Sequence, residues 1–380
     1  MQNRAGESGT PQGREAGLDL VRVFASLFVV AVHFYLNCNY YQTPLVGTKM
    51  LVMTWGRWFF MICVPLFMML TGYLKCHKTF CRAHYLSLVP VLVTYVLISI
   101  VKIIVSNIYY GAGYYTFSSG LKAIATYQLA WYVGMYVVLT LIIPFLNRLW
   151  ESLDQKSHKW MLIMLAIAGC FYPLVLYIVP SYWQMLYPLV YYYLGAYIRT
   201  YRPLVKKWLA FLVLLAATTL SAGISFLGAK GGFFNWEVLS QIDSGYSVLT
   251  VVIAACAFFL LFYKTEIRIN WIRTVLAKLS AVSLEIYLFT GVFDVIIFSY
   301  LKQTIMQEPL QAGDFFWYFF LTVPLNFVCS AVSGLILHSL CKPLLGWVRK
   351  LADAEKPAAM ASDAEKSDAG DRPTDEGAQS

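Results

Sequence analysis

The sequence predicts an all-α polytopic membrane protein with about ten transmembrane helices and both termini in the cytoplasm. Composition gives the class, because 59% of the 380 residues are hydrophobic and only 13% are charged, and the mean hydropathy is +0.62. Charged residues make up about a quarter of an ordinary soluble domain. Repeated long apolar windows indicate the number of spans. Basic connections that alternate along the chain indicate the orientation of those spans.

The apolar windows recur along the whole chain. Most of them reach the ~20 residues that a helix needs to cross ~30 Å of hydrocarbon. The weakest window is 183–199, which is short and rich in tyrosine. The ten windows are 18–37, 51–74, 86–106, 127–147, 160–179, 183–199, 208–228, 246–263, 279–301 and 315–340.

Lysine and arginine concentrate in alternate connections, and such connections stay in the cytoplasm. The connections on the other side carry little more than Lys49, Lys122, Lys230 and Lys302. An even number of spans agrees with two cytoplasmic termini. The basic set comprises Lys75, Lys78, Arg82, Arg148, Lys156, Lys159, Arg199, Arg202, Lys206, Lys207, Lys264, Arg268, Arg273, Lys278, Lys342, Arg349 and Lys350.

Polar segments flank the predicted transmembrane domain, which covers residues 17–345. Residues 1–16 contain Gly and Pro and lack a small-residue cleavage site, so we expect a disordered cytoplasmic leader. Residues 351–380 hold eight acidic and three basic residues with almost no large apolar side chain, which predicts a disordered acidic cytoplasmic tail.

Several function classes lack their motifs. The net charge of +9 follows membrane topology, so it does not indicate nucleic-acid binding. No cysteine–histidine spacing typical of zinc sites and no glycine-rich phosphate loop occurs, which argues against a bound metal and against an ATP-driven pump.

The first window contains an arginine and a histidine at membrane depth. Arg22 and His33 are eleven residues apart, which places them within ~20° of each other around a helix and ~16 Å apart along it. Such a stripe suits a long ligand with a charged head at the inner surface and a reactive end deeper in the membrane. The alternative is that Arg22 extends to the inner headgroups while His33 bonds a neighbouring helix, and the spacing alone leaves both open.

Further charged residues lie within predicted spans. Arg57 and Asp294 fall within about one helical turn of His33 in height. If they converge, Asp294 would fix the tautomer of a basic His33 and Arg57 would stabilise developing negative charge; a buried ion pair of Arg57 with an acid is the rival interpretation. Glu285 is shallower and could neutralise Arg22 or Lys278, while Lys102 is expected to extend to the outer interface.

Five motifs in order resemble the acyltransferase 3 family of integral membrane acyltransferases. The first is LDLVRVFASLFVVAVHF, with a basic residue and a histidine ten intervening residues apart in the first span. The resemblance covers about residues 17–345, and ten spans is the usual number in the family. The other motifs are VPLFMMLTGYL at 64–74, AWYVGMYVVLTLIIPFLN at 130–147, YYYLGAYI at 191–198 and LSAVSLEIYLF at 279–289.

The resemblance implies a cell-membrane enzyme that transfers an acyl group, most often acetyl, from acyl-CoA to a hydroxyl of a cell-envelope or exported glycan. Carried over to this chain, His33 is the catalytic histidine and Arg22 contacts the CoA part of the donor. Asp19 is expected to hold the Arg22 guanidinium, and the basic residues Lys75, Lys78 and Arg82 are candidates for further phosphate contacts. The chain departs from the family at Leu86 and Ser87, where an arginine is common, and at Thr290, where many members have a histidine.

Aromatic side chains offer a surface for a sugar acceptor or a lipid-linked sugar. Trp131, Tyr132 and Tyr191 are the candidates for such a platform, although interfacial belts use the same residue types. Direct attack of the acceptor on the thioester and an acyl-histidine intermediate both remain open. The competing class is a transporter or flippase without covalent chemistry, which would explain intramembrane charges but usually shows internal repeats. No convincing repeat occurs here.

Overall fold

A computed structural model describes residues 15–171, 180–231, 245–304 and 312–353. Within these ranges the chain is helical and has no strand, which confirms the all-α prediction. Most of the predicted leader and tail lies outside the described residues.

Fourteen helices can be numbered along the described ranges. They are α1 (Ala16–Asn37), α2 (Gly47–Phe60), α3 (Cys63–Lys75), α4 (Arg82–Leu86), α5 (Leu88–Tyr110), α6 (Phe117–Ala125), α7 (Trp131–Glu151), α8 (Gln155–Cys170), α9 (Tyr187–Tyr201), α10 (Lys207–Gly231), α11 (Leu249–Phe262), α12 (Asn270–Ala281), α13 (Ser283–Thr304) and α14 (Phe319–Asp353). Three 3₁₀ segments accompany them at Tyr40–Gln42, Ser181–Leu186 and Ala312–Tyr318.

Prolines follow two of the breaks between consecutive helices. Proline has no N–H and its ring clashes with the carbonyl four residues earlier, so it kinks or breaks a helix there. Pro65 stands four residues after Met61, where α2 gives way to α3. Pro90 has the same relation to Leu86, where α4 gives way to α5.

Seven helical stretches of the described residues are long and apolar enough to cross a membrane. They are Ala16–Asn37, Gly47–Lys75, Arg82–Tyr110, Trp131–Glu151, Lys207–Ala229, Ser283–Leu301 and Gly313–Pro343. The other three predicted spans correspond to α8, α9 and α11, which have 16, 15 and 14 residues. The count of ten and the cytoplasmic placement of the termini therefore stay predictions.

Helix α1 occupies the centre of the bundle, since it packs against α2, α3, α11, α12, α13 and α14. Its first turn approaches the backbone of another helix end, because a Cβ at Gly17 would lie 2.5 Å from the carbonyl oxygens of Phe262 and Tyr263. Most of its apolar side chains and that of Asp19 are buried, while Arg22 and His33 are half-buried.

Helices α3 and α9 are in direct backbone contact. A Cβ at Gly72 would lie 1.9 Å from the carbonyl oxygen of Tyr192, and one at Gly195 would lie 2.0 Å from that of Met69. Close approach of this kind through small residues is how helices associate in membranes, where lipid and side chains are equally apolar. Two of the sequence motifs, at 64–74 and 191–198, thus meet at one helix pair.

Candidate active site

A histidine and an aspartate meet inside the helical bundle. Nδ1 of His33 in α1 lies 2.5 Å from Oδ2 of Asp294 in α13. The Asp294 side chain is 10% exposed and that of His33 is 26% exposed, so the imidazole keeps one accessible side. The predicted convergence of these two residues is therefore present.

Uncharged residues of α14 extend this pair. The Nδ2 amide of Asn326 donates to Oδ1 of Asp294 at 2.9 Å, and the hydroxyl of Ser330 donates to Oδ1 of Asn326 at 2.9 Å. Asn37, one turn after His33, donates to the His33 carbonyl at 2.8 Å. The carboxylate is thereby held from two helices.

Arg22 lines a cavity of about 330 Å³ at the other end of the stripe. Its Nη1 donates to the hydroxyl of Ser280 at 3.0 Å. Lys75 lines the same cavity and donates to the hydroxyls of Tyr136 at 2.8 Å and Thr140 at 3.4 Å. Two cations from different helices thus share one space.

The remaining predicted donor contacts are distributed around this end of the bundle. Asp19 is buried, and it lines a neighbouring cleft together with Arg273 and Lys278. Lys78 and Arg82 are exposed, and the Lys78 carbonyl accepts a hydrogen bond from Asn147 at 2.7 Å. The structure places neither Lys78 nor Arg82 in the lining of the Arg22 cavity.

Arg57 is surrounded by aromatic rings. Its Nε donates to the Tyr41 hydroxyl at 3.1 Å, and its guanidinium lies 5.3 Å from the Tyr41 ring, 4.6 Å from Trp58 and 6.0 Å from Tyr40. Cation–π contacts of this kind stabilise a desolvated arginine. Among the described residues its contacts are aromatic, which differs from both predicted arrangements, an Arg57–acid pair and a direct place beside His33.

The predicted aromatic platform splits between two locations. Tyr132 lines the Arg22 cavity, and Trp131 is 46% exposed with its ring 6.2 Å from that of Tyr132. Tyr191 is fully buried, and its hydroxyl donates to the carbonyl of Tyr246 at 2.7 Å. Tyr191 therefore holds α9 to the segment before α11, away from the cavity lining.

Two other intramembrane charges have partners that differ from the expectation. Glu285 lies 3.1 Å from Nδ1 of His338, and the predicted neutralisation of Arg22 or Lys278 is not the contact observed. Lys102 does not extend outward: its Nζ donates to the Leu129 carbonyl at 3.3 Å and lies against Gly291, where a Cβ would be 2.8 Å away.

Sequence reasoning missed the polar uncharged members of the site. Asn326 and Ser330 carry no charge and lie outside the quoted motifs, and Ser280 is an uncharged member of the motif at 279–289. Their contacts appear only through the packing of α1 against α12 and of α13 against α14. Lys102 is recognisable in the sequence as an intramembrane charge. Its direction depends on Gly291, which has no side chain and so leaves room for the ammonium.

An aspartate–histidine pair and a cationic cavity lie along one helix of this all-helical bundle, an arrangement expected of a membrane-embedded enzyme. The family model for the acyltransferase domain, Acyl_transf_3, matches residues 15–335. The chain therefore belongs to the acyltransferase 3 family, as the motifs indicated, and is a multi-pass membrane acyltransferase. No curated protein and no solved structure matches it significantly.

Proposed function

We propose that this protein moves an acyl group, with acetyl as the favoured one, from acyl-CoA to a hydroxyl of a cell-envelope or exported glycan, and that His33 is the base. The observation that carries the proposal is the 2.5 Å contact between His33 Nδ1 and Asp294 Oδ2. Family membership favours this function over the alternative of a transporter without covalent chemistry.

The His33–Asp294 contact determines which ring nitrogen is basic. A carboxylate accepts a hydrogen bond, so His33 carries its proton on Nδ1 and the lone pair on Nε2. After proton uptake the carboxylate also stabilises the imidazolium, as in hydrolase triads. His33 can thus take a proton and later return it without a change in the contact to Asp294.

The proposed transfer proceeds in two proton movements. The acceptor hydroxyl gives its proton to Nε2 of His33 while its oxygen attacks the thioester carbonyl. When the tetrahedral centre collapses, the C–S bond breaks, and the leaving thiolate takes the proton from the imidazolium. An acyl-histidine intermediate is the other route, and it would require Nε2 itself to attack the carbonyl.

The donor site is proposed at the Arg22 cavity. Arg22 and Lys75 provide cations for the CoA phosphates, and the ~16 Å between Arg22 and His33 is a distance for the pantetheine arm to span. Asp19, Lys78 and Arg82 lie around this end and stay predicted donor contacts.

The acceptor side is proposed near Trp131 and Tyr132. Aromatic faces bind the apolar faces of sugars, and the Trp131 ring is half-exposed beside the Tyr132 ring. His33 lies ~16 Å farther along α1 than Arg22, so it is deep in the bilayer relative to the donor end. That depth favours a lipid-linked or outward-facing acceptor in a bacterial cytoplasmic membrane.

The experiment uses the full chain in nanodiscs with radiolabelled acetyl-CoA and a set of octyl glycosides as acceptor probes. Transfer is measured as labelled, hydroxylamine-sensitive ester on the glycoside. We expect His33→Gln and Asp294→Asn to lower kcat by about 10²- to 10⁴-fold, the usual contribution of general base catalysis.

The matched control is His338→Gln, because His338 also faces a carboxylate inside the bundle, that of Glu285. This variant should keep the parental rate per folded protein. Equal transfer by folded His33→Gln and by the parent would refute the base assignment. If the parent formed no ester with acetyl-CoA or with any longer acyl-CoA, that result would refute acyl-CoA as the donor class.

A further inference from the structure

Lys102 lies beside the candidate active site and has no role in the transfer steps above. Its helix, α5, packs against α13, which carries Asp294. The ammonium donates to the Leu129 carbonyl at 3.3 Å and lies against Gly291, one helical turn before Asp294. The opposite charges of Lys102 and Asp294 attract each other between α5 and α13.

Glycine at 291 makes this position possible. A Cβ there would lie 2.8 Å from Nζ and 3.3 Å from Cε of Lys102. A lysine near a span end would ordinarily reach headgroups or water, yet this one is directed toward α13. An intramembrane cation pointing into protein is costly unless it is paired with an opposite charge.

Burial of the Asp294 carboxylate also has a free-energy cost, as burial of the Lys102 ammonium does. Its side chain is 10% exposed, and a carboxylate in such surroundings is favoured in its neutral form unless a cation or several donors stabilise the charge. Asn326 supplies one neutral donor at 2.9 Å. His33 and Lys102 are titratable groups that interact with Asp294.

We infer that Lys102 is a positioning residue for the transfer reaction: its ammonium keeps Asp294 a carboxylate, so that His33 holds its proton on Nδ1 and presents Nε2 as the base. Lys102 acts through Asp294 and touches neither donor nor acceptor. The inference rests on the proposed function for its kinetic consequence, and on the Lys102–Gly291–Asp294 arrangement for its electrostatic part.

The consequence follows from proton positions. If the Asp294 carboxyl were protonated, its O–H would donate a hydrogen bond to Nδ1 of a neutral His33, which would then carry its single proton on Nε2. In that state Nε2 has no lone pair for the acceptor hydroxyl, and the pair is inactive as a base. The charge of Lys102 selects the active arrangement without entering the chemistry.

The kinetic test compares Lys102→Met with Lys102→Arg in nanodiscs, with acetyl-CoA and the octyl glycosides. We expect Lys102→Met to lower kcat at neutral pH by about 10- to 100-fold, with KM for both substrates little changed. Lys102→Arg keeps the charge and should retain most of the rate.

Two controls separate charge from packing. Lys122→Met removes an exposed lysine of α6 and should leave kcat unchanged. In an Asp294→Asn background, Lys102→Met should cost less than about twofold more, since the charge that it stabilises is already gone. Equal loss in the Met and Arg variants, or losses that multiply fully in the double variant, would overturn the inference.

A second test does not depend on transfer activity. Thermal unfolding of the parent, Lys102→Met, Asp294→Asn and the double variant forms a double-mutant cycle. Each single change leaves one buried charge without its partner, so the double variant should have a higher Tm than additivity predicts. Additive Tm losses would overturn the pairing, whereas a coupled cycle with no acetyl transfer by the parent would refute only the donor assignment.

Discussion

Asp294 and Asn326 are joined through the carboxylate oxygen that His33 does not use. Asn326 donates to Oδ1 at 2.9 Å, while Nδ1 of His33 lies 2.5 Å from Oδ2. The carboxylate plane is thus fixed by two helices, α1 and α14, from opposite sides. Its orientation in turn fixes the direction in which the imidazole presents Nε2.

The first prediction concerns that second contact. Asn326→Ala should lower kcat by about 10- to 100-fold, because small misplacements of a catalytic group have effects of this size. KM for acetyl-CoA should change little. The measurement is steady-state transfer to an octyl glycoside, normalised to folded protein.

Ser299 provides the control for Asn326. Its hydroxyl is buried in α13 and has no hydrogen-bond partner among the described residues. Ser299→Ala removes no hydrogen bond and should be neutral or slightly stabilising. A parental kcat in folded Asn326→Ala would show that His33 alone keeps Asp294 in place.

The sequence reliably predicts which residues of the site lie on the same face of one helix. Arg22 and His33 share a face of one helix because their relation is local. The partner of His33 depends on how α1 packs against α13, which no local pattern encodes. From the sequence, Asp294 and Arg57 were candidates with different roles only because they lie at a height similar to that of His33. In the described part of the chain Asp294 contacts the His33 ring, while Arg57 packs among aromatic rings.

Span boundaries show the same limit. The windows located the apolar segments, but the breaks at Met61 and Leu86 lie four residues before prolines, a relation that hydropathy does not contain. Tyr191 was predicted for a sugar platform from its residue type alone, and it is fully buried. The residue type indicates which chemistry a side chain can perform, whereas long-range packing determines whether a ligand can reach that side chain.

The second prediction concerns the donor end. Arg22→Gln should raise KM for acetyl-CoA by about tenfold, since hydrogen bonds to charged groups contribute about 1.5–3 kcal/mol, and kcat should fall less. Lys75→Gln should act in the same direction because both cations line one cavity. Arg148→Gln, an exposed arginine at the end of α7, is the matched control and should keep the parental KM. An unchanged KM in both cavity variants would remove the donor from this cavity.

The third prediction tests orientation through a native thiol. Cys81 is exposed in the connection between α3 and α4, whereas the other described cysteines are buried or half-buried. With cytoplasmic termini this connection faces the cytoplasm, so a membrane-impermeant maleimide should label Cys81 only after spheroplasts are permeabilised.

The opposite side of the membrane needs its own reporter. Lys122→Cys, in a Cys81→Ser background, places a thiol on the exposed face of α6 and should be labelled in intact spheroplasts. Labelling of Cys81 in intact spheroplasts would reverse the predicted topology and, with it, the side from which acyl-CoA reaches Arg22.

The fourth prediction concerns the close contact of α3 and α9. A Cβ at Gly72 would lie 1.9 Å from a backbone oxygen, and one at Gly195 would lie 2.0 Å from another. Backbone cannot rotate away as a side chain can, so each Gly→Ala change must separate the helices and should cost about 1–3 kcal/mol or more. We expect a lower Tm and less folded protein after detergent extraction.

Gly223 in α10 is the matched control, because a Cβ there would meet no atom within 4 Å. Gly223→Ala should be neutral or stabilising, since alanine is favoured over glycine in helices by about 1 kcal/mol. Helix α3 also carries Lys75 of the Arg22 cavity, so separation of α3 from α9 should weaken acetyl-CoA binding as well as stability. A parental Tm in both Gly72→Ala and Gly195→Ala would contradict the backbone contact. A parental KM for acetyl-CoA despite a lowered Tm would show that the Arg22 cavity does not depend on the contact between α3 and α9.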